Sequence, residues 1–241
     1  MESVFCIQSE LNPLLLEAFE LIKNRINSLT DLEPLYIDPM LSRIYRKQNE
    51  EKLFIINEFY QANGFRKIHL EVAKLGKSLE ILHCVFFPDP CYDLPIFGAD
   101  LVVNSNNISA GIVDLSPVGK HLPDCLISQM RSLKVSKFTE PGKLPEWGFI
   151  FSPYVAFVRP VDFLEEKSFL ELIDQYLSLL LSLLVKVQRD EINSLDAMCR
   201  LNYQKRYCLN QKRNDKTRGI LTKFFGSSWA DEYINKILFE C

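Results

Sequence analysis

The chain has 241 residues, 47% of them hydrophobic and 24% charged, with 28 basic and 31 acidic side chains for a net charge of −3. This composition is ordinary for a soluble globular protein and excludes a mainly disordered, collagen-like or coiled-coil architecture. The slight acidity also argues against a globally basic nucleic-acid binder, while leaving room for a local basic patch.

The N-terminal stretch MESVFCIQSELNPLL has neither the basic nor the long apolar region of a signal peptide. The most apolar run, Leu177 to Val185, is far shorter than the roughly 20 residues a membrane-spanning helix requires. A cytoplasmic protein without a membrane partner is expected. The cysteines (Cys6, Cys84, Cys91, Cys125, Cys199, Cys208 and Cys241) are scattered, with no C-x-x-C pair. That spacing argues against a zinc or iron–sulfur site and for free thiols in a reducing compartment.

Taken in chain order, Glu10–Leu29 reads as a helix. Strands follow where apolar residues alternate. In Phe65–Val72, Ile68, Leu70 and Val72 share one side and His69 and Glu71 the other. In Leu79–Phe87, His83 falls among Leu79, Ile81, Val85 and Phe87. In Ile96–Val103, Asp100 falls with Ile96, Gly98 and Val102. Ile108–Leu115 and Gly148–Arg159 are read as further strands. The connections Leu75–Ser78 and Asn104–Asn107 are short enough to join antiparallel neighbours.

No proline follows Pro160, so the tail is free to form long helices. Phe169, Ile173, Tyr176, Leu180, Leu183, Leu184 and Val187 recur at helical spacing. Further helices are predicted over Ser194–Leu209, from Asn214 to about Phe225, and over Trp229–Leu238. Strands in the middle with helices before and after predict an α+β fold, an antiparallel sheet covered by helices. Residues 1–241 read as a single domain.

No G-x-G-x-x-G, P-loop or G-x-S-x-G occurs, so the chain carries no signature of its own bound redox cofactor. The polar groups on apolar strands are the candidates for chemistry. A carboxylate such as Asp100 on an apolar face is costly to bury unless paired or protonated. If the three strands are neighbours, Glu71, His83 and Asp100 converge on one sheet face and can exchange protons with a bound substrate. A structural histidine and a turn-capping or solvent-facing aspartate are the plainer alternatives. Paired carboxylates also occur in glycosidases, but nothing here marks a sugar site, and the spacing of His and carboxylates matches no metal signature. Between Arg200 and Lys223 stand eight cationic side chains against the single acid Asp215. This stretch is either a solvated helix face or a docking patch for an acidic partner or an anionic substrate. It contains no recognisable RNA-binding motif.

The segments FRKIHLEVAK (Phe65–Lys74), ILHCVFFPDPCYDLPIFGADLV (Ile81–Val102), ISAGIVDLSPV (Ile108–Val118), LPEWG (Leu144–Gly148), FVRP (Phe157–Pro160) and NDKTR (Asn214–Arg218) resemble, in collinear order, the ferredoxin-dependent bilin reductases. The first 50 residues and Lys120–Lys137 carry little of this likeness.

The resemblance implies a three-layer α/β/α sandwich with a central antiparallel sheet. It implies that biliverdin IXα lies between the sheet and the C-terminal helices. No metal, flavin or nicotinamide would be bound. Reduced [2Fe–2S] ferredoxin would deliver electrons singly through bilin radicals, with the protein supplying protons. Glu71 matches the family's proton donor near the D-ring vinyl group. His83 and Asp100 match its proton-sharing pair, and His69 a second pocket histidine. Ser109, Asn214 and Lys216 would contact the substrate, with Ser109 and Lys216 at its propionates. The basic tail then becomes the docking side for ferredoxin.

Having both Glu71 and His83 points to the phycocyanobilin-forming branch, a four-electron reduction beginning at the D-ring exovinyl group and ending at the A-ring. A related reductase giving phycoerythrobilin, or a bilin carrier without turnover, are the alternatives. A monomer is expected.

Overall fold

The computed structural model of the chain describes residues 11–48, 51–105 and 107–240. The first helix, α1 (Pro13–Asn27), starts where its pattern demands. Asn12 caps it by accepting the Leu14 amide, and Pro13 takes the first-turn position, where a missing N–H costs nothing. A two-residue strand β1 (Glu33–Pro34) and a single helical turn α2 (Pro39–Ser42) lead to β2 (Arg43–Gln48). The sheet is then built by β3 (Glu51–Ala62), β4 (Phe65–Leu75), β5 (Leu79–Pro88), β6 (Ile96–Asn104) and β7 (Asn107–Ser116). After α3 (Asp124–Ser132), the short β8 (Glu140–Pro141) and β9 (Ala156–Arg159) complete the far edge. The order is β1-β3-β4-β5-β6-β7-β9-β8, with β2 also on β3 and every pairing antiparallel.

The strand β4 is buried on both faces, whereas β5, β6 and β7 are buried on one face and only half-buried on the other around His83, Asp100 and Ile112; the period of two sorts the side chains between two cores. One core joins Leu70, Phe86 and Leu101 to Leu15 and Ile22 of α1 and to Phe169, Ile173 and Leu177 of α4 (Phe163–Leu184). The other joins Ile55, Val85, Phe87 and Ile96 to the C-terminal helices α5 (Leu195–Gln211), α6 (Asp215–Phe225) and α7 (Ser227–Tyr233). Helices thus cover both faces of an antiparallel sheet, the α/β/α sandwich expected from the sequence. Each fully buried large apolar side chain, Leu177 for example, contributes about 1.5–3 kcal/mol.

Two sequence expectations need correction. Gly148–Arg159 is not one strand. Glu146–Ile150 is a 3₁₀ turn, and only Ala156–Arg159 pairs with the sheet. Pro153 has no amide to give a ladder, and the Ser152 amide is drawn to the Asp114 carboxylate instead. The helix expected over Trp229–Leu238 also divides: after α7, residues Ile234–Leu238 widen into a π turn. The long strand β3 and the helix α3 are additions to the sequence reading. Among the cysteines, Cys84, Cys91, Cys125 and Cys199 are free. Cys208 is disulfide-bonded, which departs from the expectation of free thiols throughout. Cys6 and Cys241 lie outside the described residues. Among the described residues no helix is long and apolar enough to cross a membrane.

Candidate active site

The strands β4, β5 and β6 are direct neighbours, so the condition for convergence of the polar residues is met. In the register Glu71 stands opposite His83, and His83 opposite Asp100. The same row runs on to Asn57 of β3 at one end and to Ile112 of β7 at the other. The adjacent row on the same face is Phe59, His69, Val85, Gly98 and Asp114. This is the face covered by α5, α6 and α7.

His83 Nδ1 lies 2.6 Å from Asp100 Oδ1. The His83 side chain is 13% exposed and that of Asp100 is 40% exposed, so the pair is closed on the imidazole side and open on the carboxylate side. Burial pulls the His83 pKa down, but the charge and hydrogen bond of Asp100 are the main influences that outweigh it and hold the imidazole above its ordinary value. His83 Nε2 is buried and has no partner among the described residues. It is the position from which the pair can reach a ligand.

Glu71 is buried, and burial pushes its carboxyl up despite the nearby His83. Its Oε2 lies 2.9 Å from the Tyr233 hydroxyl, which also reaches Asn57 Oδ1 at 2.9 Å. His69, entirely buried, places Nε2 2.7 Å from Asn57 Oδ1 and stacks on Phe59 at 4.2 Å between ring centroids. Burial, then the charges of His83 and Lys67, drive the His69 pKa far down, so this ring is neutral. Lys67 donates to the Ile237 carbonyl at 2.8 Å, inside the π turn, and burial lowers its pKa to about 8. Phe239, just past that turn, sets its ring 6.0 Å from His83.

At the other end of the face Tyr207 covers Gly98, where a Cβ would meet its hydroxyl at 3.3 Å. Tyr207 also walls a cavity of about 360 Å³ together with Arg206, Tyr203, His121, Lys120 and Phe149. The cavity does not include Glu71, His83 or Asp100. Tyr207 is the wall residue that also approaches the sheet face, at Gly98.

The remaining expected site residues fall elsewhere. Ser109 is the extra residue where the β6–β7 register shifts, and its hydroxyl donates to the Val102 carbonyl at 3.0 Å. Asn214 caps α6, its Oδ1 accepting the Lys216 and Thr217 amides at 3.2 and 3.4 Å. The Lys216 side chain is exposed. Of the basic run, Arg200 is tied inward to Asp190 and the Pro90 carbonyl, and Arg218 is paired with Asp231. Lys205, Arg206, Arg213, Lys216 and Lys223 are exposed.

Among the polar residues missed from the sequence are Asn57 and Asp114 on this face and Tyr233 on the helix that covers it. The first two were findable. Each alternates with apolar neighbours (Ile55 and Phe59; Ile112) as His83 does. Tyr233 reaches Glu71 from 162 positions away, and no local pattern signals it. Among the described residues no group of three or more His, Cys, Asp or Glu side chains is arranged to hold a metal ion.

On one inner face of a helix-covered antiparallel sheet, the structure thus gathers a buried acid, a histidine–aspartate pair and a second histidine in two adjacent rows. The family model for ferredoxin-dependent bilin reductase matches residues 19–240. A phycocyanobilin:ferredoxin oxidoreductase of Prochlorococcus marinus (strain MIT 9313) is 46% identical over 230 residues, covering 95% of this chain and 87% of the relative. One of the same name from a second strain of that species is 44% identical over 237 residues, covering 98% and 96%. A third, from Synechococcus, is 45% identical over 231 residues, covering 96% and 94%. The crystal structure of tomato phytochromobilin synthase in complex with biliverdin superposes with a TM-score of 0.72 at 21% identity, covering 92% of this chain and 80% of that one, a likeness of fold. The chain belongs to the ferredoxin-dependent bilin reductase family, and it is an oxidoreductase.

Proposed function

We propose that this chain reduces biliverdin IXα to phycocyanobilin with electrons from reduced ferredoxin, and that Glu71 and the His83–Asp100 pair supply the protons. The observation that carries the assignment of protons is the in-register row Glu71–His83–Asp100 on the sheet face beneath the C-terminal helices. The relatives named phycocyanobilin:ferredoxin oxidoreductase support the product.

Ferredoxin carries electrons without protons, so each electron added to the conjugated bilin raises its basicity and calls for a proton within hydrogen-bond reach. A four-electron reduction consumes four protons. Glu71, held toward its acid form by burial, serves the D-ring vinyl group. The His83–Asp100 pair, 2.6 Å apart, shares a proton that neither residue owns alone. It serves the lactam and pyrrole nitrogens through the bilin radical stages. His69, neutral and fixed by Asn57, borders the same pocket. Ser109, Asn214 and Lys216 are assigned to substrate binding. The cationic cluster Lys205, Arg206, Arg213, Lys216 and Lys223, on α5, α6 and the turn between them, is the docking side for an acidic ferredoxin.

The test is an anaerobic reaction of the purified chain with biliverdin IXα and reduced ferredoxin, followed by absorbance and product chromatography. Phycocyanobilin formed through a transient radical band is expected. Phycoerythrobilin would overturn the branch, and tight binding without turnover would overturn the enzymatic reading in favour of a carrier.

A further inference from the structure

Asn57 faces Glu71 across the β3–β4 ladder. Its amide has one possible orientation: Nδ2 donates to the Leu41 carbonyl at 2.7 Å, and the reverse would press two oxygens together. Oδ1 therefore points into the site, where it can only accept. Two groups reach it. One is His69 Nε2 at 2.7 Å, which must carry the ring proton. The other is the Tyr233 hydroxyl at 2.9 Å.

Tyr233 has a single hydrogen but two oxygen neighbours at the same distance, Asn57 Oδ1 and Glu71 Oε2, both 2.9 Å away. Asn57 has no proton to offer along its contact. If the Tyr233 hydrogen goes to Asn57, the contact with Glu71 is a hydrogen bond only when Glu71 contributes a hydrogen of its own.

Around Glu71, burial and the charge of Asp100 favour the neutral acid, while the charge of His83 opposes it. On β4 itself, His69 Nε2 is 3.9 Å from Glu71 Oε2, but its proton is committed to Asn57. Lys67 is turned to the Ile237 carbonyl and lies 3.9 Å from Glu240. From β5 comes His83, whose charge is shared with Asp100 of β6. The covering helix brings the buried phenol Tyr233, which burial and Glu71 together keep protonated.

We propose that Asn57 is a positioning residue which, by accepting the hydrogen bond of the Tyr233 hydroxyl, makes Tyr233 an acceptor and so keeps Glu71 loaded as an uncharged acid. This rests on the reading of Glu71 as a proton donor in the reaction. When Glu71 gives its proton to the electron-rich bilin it becomes a carboxylate, and the Tyr233 hydrogen turns from Asn57 to it across an equal distance. The new charge is then met by a donor without movement of any heavy atom.

The test is infrared titration of the acid carbonyl band of Glu71 in the full-length, bilin-free chain, with the band assigned by its loss in Glu71→Gln. The wild-type chain should show the band at neutral pH. Asn57→Leu leaves the Tyr233 hydrogen uncontested, so it stabilises the carboxylate and the midpoint falls by about one pH unit, the worth of one charge-assisted hydrogen bond. Tyr233→Phe leaves the carboxylate with no donor, and the midpoint rises by about as much. A merely structural role would move the two variants alike or not at all, and either result overturns the proposal. If Asn57→Leu does not fold, Tyr233→Phe decides alone: a midpoint that falls or stays fixed overturns it. The product of Glu71→Gln with ferredoxin separately tests the role of Glu71. Opposite shifts together with normal product from Glu71→Gln would keep the Asn57 assignment and remove Glu71 from the reaction.

Discussion

His83 and Asp100 face each other across two adjacent antiparallel strands, with the imidazole Nδ1 2.6 Å from the carboxylate Oδ1. The backbone ladder sets the two residues opposite each other, so their side chains leave the same face within reach of one another. The two ends of the pair differ: the carboxylate is partly exposed, while His83 Nε2 is buried and unpartnered among the described residues. Asp100→Asn keeps the shape and removes the charge. The variant should bind biliverdin with nearly unchanged affinity and reduce it about 10²–10⁴ times more slowly, the range of general acid–base effects. Single-turnover absorbance checks this, and wild-type rates would remove Asp100 from the proposed chemistry.

The same pair sets a pH dependence. The His83 pKa is raised in the folded chain because burial, which lowers it, is outweighed chiefly by the charge and hydrogen bond of Asp100. A raised base holds its proton to higher pH than in the unfolded chain, so its contribution is complete below the ordinary histidine value and is lost as pH rises through the folded one. Because only the protonated pair has a proton to give, the reduction rate should fall on an alkaline limb assigned to it. Asp100→Asn removes the main raising influence and should move that limb to lower pH. A pH profile of the first electron-transfer step in both proteins reads the difference, and a limb that stays in place would assign it to another group.

Glu71→Gln retains a polar, near-isosteric side chain but cannot give up a proton. Product chromatography should then show bilins with the D-ring exovinyl group unreduced, while bilin binding persists. Full conversion to phycocyanobilin at the normal rate would show that the D-ring proton comes from elsewhere.

Asp114 offers a test of stability rather than turnover. It is buried, accepts from Ser116 Oγ and from the Ser152 amide and hydroxyl, and meets no cation among these contacts. Burial raises its pKa to about 6, against the lowering influence of those donors. The folded state then binds the proton more tightly than the unfolded one, so stability falls as pH rises from the unfolded value through about 6. The loss has a ceiling of about 3 kcal/mol. Asp114→Asn cannot ionise, so its stability relative to wild type should improve between pH 4 and pH 7.5 in urea denaturation. A constant difference across that range would contradict the assignment.

Asn214 carries two assignments that can be separated. Its side chain caps α6 by accepting two backbone amides. Asn214→Ala should lower stability by about 1 kcal/mol, and Asn214→Asp should restore most of it. If Asn214 also holds substrate, bilin affinity should stay reduced in the Asp variant, because an added negative charge faces the bilin propionates. Affinity that follows stability in both variants would reduce Asn214 to a cap.

The inner face of the sheet is legible in the amino-acid sequence. A strand turns successive side chains to opposite sides, so His83 had to share a face with Ile81 and Val85, and Asp100 with Gly98 and Val102. The proline-free tail was free to form long helices, and its apolar spacing pointed to them. The Gly148–Arg159 segment misled because its strand-like composition is interrupted at Pro153 and by a long-range bond from Ser152 to Asp114.

Alternation says which face a side chain takes, but not which residue stands beside it. That depends on strand order and register, which are set by pairings across the whole sheet. The row Asn57–Glu71–His83–Asp100 exists only because four strands align. The proton balance around Glu71 depends on Tyr233, brought from 162 positions away by a helix packed over the sheet. The kinds of chemical group were written in the chain. Their distances, and with them their protonation, came from packing, because a hydrogen bond is decided by tenths of an ångström that no local pattern encodes.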